Sequence, residues 1–306
     1  MSDFVSNFWS TFVAVAVVVS VIACVVLLWV SGTTKVSPAA DNTTGHVWDG
    51  DLREMNNPLP RWWVYLFIIT VLFAFVYAAL YPTLGAYKGS LGWSSAGQHA
   101  AEVDKVEKAI APIYAAYSKM DIPAVAADPK AMAIGERLFM NNCAQCHGSD
   151  ARGSKGFPNL TDGDWLYGGA PDVIKETLVG GRNGVMPPMA AAVGTAEDVK
   201  NLAQYVLSLS GSPHDAVQAT LGKDKFGACA ACHGADGKGN VAMGAPNLTD
   251  NVWLHGWGAD AVIKIINEGK NNAMPSQKDK LNEAQIHVLA SYVWGKSNTN
   301  TMAAAK

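Results

Sequence analysis

Hydrophobic side chains are distributed along this chain in two ways. From Phe8 to Val30, and again from Trp62 to Tyr81, they form runs without a charged residue. Each run matches the roughly 20 apolar residues that an α-helix needs to cross a bilayer. Trp9 and Trp29 border the first run; Trp62 and Trp63 open the second, and Tyr77 and Tyr81 lie toward its end. Amphipathic rings favour such positions at headgroup level. Beyond residue 98 the apolar positions recur instead at the three- and four-residue spacing of amphipathic helices. That spacing predicts helices over Gln98–Lys119, Ala131–Asn141, Asp172–Val179 and Ala196–Leu209, and then over Gly222–Ala228, Ala259–Asn267 and Glu283–Val293. Ser208–Pro213 reads as a linker. The expected fold is mainly α, with two N-terminal transmembrane helices and two tandem helical domains. The expected boundaries are 1–34 and 61–82 for the spans, 35–60 for the loop between them, 83–130 for a connecting segment, and 131–210 and 219–297 for the domains.

No basic residue precedes the first run and no convincing cleavage site follows it, so a retained helix is expected rather than a signal peptide. The loop between the spans carries Lys35, Arg53 and Arg61, and basic residues stay on the cytoplasmic side. Both helical domains should then lie on the opposite face. The net charge of −3 favours neither nucleic acid nor an acidic polymer as partner.

Five cysteines are present. Cys24, inside the first run, reads as a small apolar packing residue. The other four form Cys143-Ala144-Gln145-Cys146-His147 and Cys229-Ala230-Ala231-Cys232-His233. This CxxCH spacing attaches c-type haem: two thiols bond the porphyrin vinyl groups, and the adjacent imidazole takes the iron from below. Zinc would have to pool both cysteine pairs around one ion. A redox dithiol has no need of a histidine after each pair.

Each motif opens a repeated unit. CAQCHGSDARG, PNLTDGDWL and NGVMPPM are echoed by CAACHGADGKG, PNLTDNVWL and NNAMPS. Two copies of one module follow, each with its own covalent haem c. His147 and His233 are the expected proximal ligands of iron. Met186 and Met274, in matching N-x-x-M-P contexts, are the expected distal ones, with Met189 a rival for Met186. Each methionine serving its own module's haem is the simpler arrangement; a crossed one, with each serving the other haem, stays open. The carbonyls of Pro158 and Pro246 are placed to accept the Nδ1–H of the two histidines, or are ordinary turn prolines. Trp165 and Trp253 read as haem-edge packing, and Arg182 as either a propionate partner or a solvated charge.

The modules resemble small class I cytochrome c domains throughout Ala131–Ser297. A narrower resemblance rests on GHVWDGDL from Gly45, NNPLPRWW from Asn56, Tyr81-Pro82, and LGWSS from Leu91. With the two motifs, these segments resemble the dihaem cytochrome c subunit of cbb3-type cytochrome c oxidases, from which the first span is a departure. The resemblance implies an electron conduit rather than an enzyme, with a catalytic haem–copper subunit, a monohaem cytochrome c subunit, a donor cytochrome c and membrane lipid as partners. It also implies a bacterial inner-membrane location with the haem domains in the periplasm. Against it stand a dihaem carrier for a dehydrogenase or nitrogen-oxide reductase, and a dihaem peroxidase. The peroxidase would need an open distal position that two matched Met-Pro loops do not provide.

Overall fold

The computed structural model describes residues 6–33, 42–56 and 59–298. The chain forms two compact units, Met1–Ala109 and Ile110–Lys306. In the first, helices α1 (Asn7–Thr33) and α2 (Arg61–Leu80) bury no residue against protein. Their exposed Phe, Val, Leu and Ile side chains suit hydrocarbon rather than water. The Ser10 hydroxyl of α1 accepts the Ala86 N–H at 2.7 Å, tying the start of α1 to the segment after α2. Cys24 is exposed on α1.

The loop between the spans holds an antiparallel hairpin, β1 (Thr43–Trp48) and β2 (Leu52–Met55), closed by the Trp48–Leu52 pair. Asp49 and Gly50 turn it with φ of +49° and +86°, a conformation for which Asp-Gly is suited. His46 Nδ1 lies 3.0 Å from Glu54 Oε2, and this hydrogen bond holds the Glu54 carboxyl below its ordinary value. Lys35, Asn57 and Pro58 lie outside the described residues.

Helix α3 (Ser95–Tyr117) leads into the second unit, whose helices are short: α4 (Ile122–Ala126), α5 (Pro129–Asn142), α6 (Ala144–His147), α7 (Pro171–Gly180), α8 (Ala190–Val193), α9 (Ala196–Leu209) and α10 (Ala216–Gly222). After a 3₁₀ turn at Lys223–Phe226 come α11 (Gly227–His233), α12 (Ala259–Glu268) and α13 (Glu283–Ser297). The N-termini are set by local chemistry. Asp121, Asp128 and Asp215 accept N–H groups at the starts of α4, α5 and α10. Thr195 with Asp198, and Asn282 with Gln285, close reciprocal capping boxes on α9 and α13.

Two strands complete the unit: β3 (Arg182–Met186) and β4 (Lys270–Met274), which pair antiparallel from Arg182↔Met274 to Met186↔Lys270. Each belongs to a different sequence repeat, so the ladder joins the repeats around a local two-fold relation.

The packed cores do not follow the sequence repeats. One core combines Phe139 of α5 and Ile174 and Leu178 of α7 with Ile286, Leu289 and Tyr292 of α13, the last helix of the second repeat. The other combines Val199, Leu202 and Val206 of α9, from the first repeat, with Phe226, Val262 and Ile266 of the second. The repeats have exchanged C-terminal helices. Residues 210–215 explain half of this, because so short a connection folds α9 and α10 into a hairpin; α13 is then left to cover α5. Glycines allow both crossings. A Cβ on Gly135 would sit 2.5 Å from the Tyr292 Cβ, and one on Gly222 would collide with the Asn201 carbonyl.

Candidate haem-binding sites

The two CxxCH segments fold alike. Cys143 closes α5 and begins α6, which ends on His147; α11 ends on His233. Gly148 and Gly234 follow with the same φ of +78°, turning the chain away directly after each imidazole. Both rings are buried, each with 7% of its surface exposed. The Nδ1–H of His147 donates to the Pro158 carbonyl at 3.0 Å, and that of His233 to the Pro246 carbonyl at 3.0 Å. The two prolines therefore hold the rings, and Nε2 keeps the lone pair that a metal takes. Burial lowers the His147 pKa, against the opposing effect of the Pro158 bond.

Cys143 and Cys229 are half-buried, whereas Cys146 and Cys232 are exposed. Burial, then the neighbouring Cys146, pushes the Cys143 thiol up to about 11. Burial and Cys232 raise Cys229 as well. An active redox dithiol has a depressed thiol pKa, so the shift runs against that alternative. The pairs also lie apart: Cys143 packs into the first core and Cys229 into the second, which removes the arrangement zinc would need.

Trp165 packs into the first core and Trp253 into the second. Trp253 Nε1 is buried without a hydrogen-bond partner among the described residues. A buried indole N–H is costly to leave unpaired. A haem propionate beside it would accept that proton, so the orphan donor fits the haem that the cysteines call for. Arg182 is engaged elsewhere: it bonds Glu176 at 3.1 Å and Thr177 at 2.9 Å, and its guanidinium lies 4.9 Å over the Tyr167 ring.

The methionine loops show the exchange again. Met274 packs into the core that contains Cys143, and the loop after it is pinned to α7 by Ser276 Oγ donating to the Val179 carbonyl and Gln277 N–H to the Leu178 carbonyl. The Met186 loop lies against Gly269 at the end of α12, where Met189 N–H donates to the Ile266 carbonyl. Met189 therefore stands where Gln277 stands in the other copy, and Met186 is the counterpart of Met274.

Known proteins of similar sequence point to one family. The model of the cbb3-type cytochrome c oxidase subunit III family matches residues 130–206 and 217–293, and that of the N-terminal domain of cytochrome oxidase-cbb3, FixP, matches residues 40–88. The chain is 62% identical to a cbb3-type cytochrome c oxidase subunit CcoP of Rubrivivax gelatinosus, over 99% of its own length and 100% of the relative's. A FixP subunit of Sinorhizobium medicae is 42% identical over 82% of this chain and 92% of its own. A CcoP of Cereibacter sphaeroides is 38% identical over 86% and 97%. The chain belongs to the subunit III family of cbb3-type cytochrome c oxidases. As a member of that family it is a membrane-anchored dihaem cytochrome c that transfers electrons. The match to the R. gelatinosus subunit covers 99% of this chain and so includes the residues of α1.

Proposed function

We propose that this subunit III takes electrons from a donor cytochrome c and passes them through two covalently attached haems to the catalytic haem–copper subunit, with no oxygen chemistry of its own. Bound haem iron supplies a reversible one-electron couple. The protein's part is to hold, orient and shield it. Cys143 with Cys146, and Cys229 with Cys232, would form the thioether bonds, and His147 and His233 would each offer Nε2 to one iron. The distal ligands are crossed: Met274 serves the haem of Cys143 and Met186 the haem of Cys229. The observation that carries this is the packing of Met274 in the core of Cys143 rather than of Cys229. Methionine and histidine as the two protein ligands would raise the potential.

The haem domains lie in the periplasm and the hairpin in the cytoplasm, in agreement with the basic residues of the loop. The further partners are a monohaem cytochrome c subunit and membrane lipid.

The test is direct. Denatured chain should retain two haems in a pyridine haemochrome assay; one haem, or loss of haem on denaturation, overturns covalent attachment. Met274→Ala combined with His233→Ala should leave no iron with both His and Met, because the remaining thioether of Met186 faces the haem that has lost its histidine. Met274→Ala with His147→Ala should leave one intact His–Met centre. The reverse pattern would establish the uncrossed arrangement.

A further inference from the structure

Helix α3 carries a heptad pattern that its own chain only partly uses. Val103, Val106, Ile110, Ile113 and Tyr117 follow one another at alternating spacings of three and four residues, which places all five on one face of the helix. The last turn of that face is covered. Tyr117 is buried with Val125, Ala131 and Val288, and Tyr114 packs beside them. The earlier turns are not: Val103 is 40% exposed, Val106 57% and Ile113 47%. Asp104, Lys105, Lys108 and Pro112 fall on other sides of the helix, and Lys108 and Asp104 pair with each other at 2.6 Å. β-Branched residues at both seam positions are characteristic of helices that associate through knobs-into-holes packing.

The charges bordering the seam select what packs there. Glu102 and Glu107 flank it on opposite edges. Glu102 takes a hydrogen bond from the neutral Gln98 amide, and neither acid has an ion-pair partner among the described residues. A second copy of this chain would set acid against acid whether the helices ran parallel or antiparallel. A lipid surface is poorly matched too, since helices lying on membranes border their apolar face with Lys and Arg.

We propose that the Val103–Ile113 seam of α3 is the docking face for an α-helix of another subunit of the same oxidase, one with a three-four apolar stripe bordered by Lys or Arg. The inference rests on the oxidase membership and deepens the partner reading above by fixing where one contact is made. The seam extends a face that is already an interface at Tyr114 and Tyr117. The partner helix continues that packing toward the N-terminus of α3, with its cations neutralising Glu102 and Glu107.

The experiment places the photocrosslinker benzoylphenylalanine at Val106, or at Lys105 as control, in the full chain, followed by irradiation of the intact solubilised oxidase. The expected adduct from position 106 contains a peptide of another oxidase subunit with the stated heptad and flanking cations, and position 105 gives none. Glu102→Lys with Glu107→Lys should lower the adduct yield roughly tenfold while two haems per chain are kept. Adducts with a second copy of this chain, with lipid or only within this chain, absence of any adduct, or a yield indifferent to charge reversal would overturn the proposal. If the catalytic subunit copurifies but the adduct is missing, only the docking face is wrong. If the catalytic subunit does not copurify at all, the proposed partnership fails with it.

Discussion

At the scale of single residues, the helix crossings and one capping carboxylate set the most exacting conditions. Gly135 permits α5 to approach the Tyr292 side chain, and Gly135→Ala places a methyl group where 2.5 Å separates it from the Tyr292 Cβ. The expected loss is about 1–3 kcal/mol of stability, the usual cost of overpacking, measured by denaturant unfolding of the holoprotein. Asp198 accepts from Thr195 and pairs with Lys225 at 2.9 Å, and the Lys225 bond with the Thr195 bonds lowers its pKa from 3.8 to about 2. A depressed carboxylate contributes stability above its unfolded value and loses it as pH falls through the folded one. Asp198→Asn should therefore be less stable than the parent near neutral pH, and the gap should close between about pH 4 and about pH 2. A constant gap across thermal melts in that window would contradict the assignment.

At the scale of elements, the sequence disclosed the helices far better than it disclosed their partners. The apolar periodicity located α9 at its observed limits, Ala196–Leu209, where the structure adds the Thr195–Asp198 capping box. The apolar runs likewise placed α1 and α2 to within a few residues. Three things were missed. The hairpin β1–β2 lies in a segment whose apolar pattern predicts only a loop, and Asp49-Gly50 between Trp48 and Leu52 is the signal that marks it. The strands β3 and β4 have no apolar alternation; RNGVM and KNNAM are extended because each supplies the other's hydrogen-bond partners. The exchange of α9 and α13 was also hidden, since two similar amphipathic helices each present an apolar face that either N-terminal helix can bury. The exchange has a measurable effect. A fragment covering residues 131–210 keeps α5 but lacks Leu289 and Tyr292, so it should fail to fold cooperatively, whereas residues 110–298 should unfold in one transition by circular dichroism.

At the scale of the whole molecule, the repeated methionines, histidines and cysteines are legible as candidates, and the core against which each packs is not. Spacing in one dimension fixes which residue types recur; only packing shows that Met274 lies against the same core as Cys143. Topology is testable at the same scale. A reporter active only outside the cytoplasm should work when fused after Ser297 and fail when inserted at Asp49 in the hairpin; the opposite pattern would reverse the orientation. The exchanged helices also bear on how the protein is made. A chain that emerges from its N-terminus presents Cys143 and Cys146 long before α13, the helix that completes their core, has been synthesised. The core against which Cys143 packs thus stays incomplete until the far end of the polypeptide has been made.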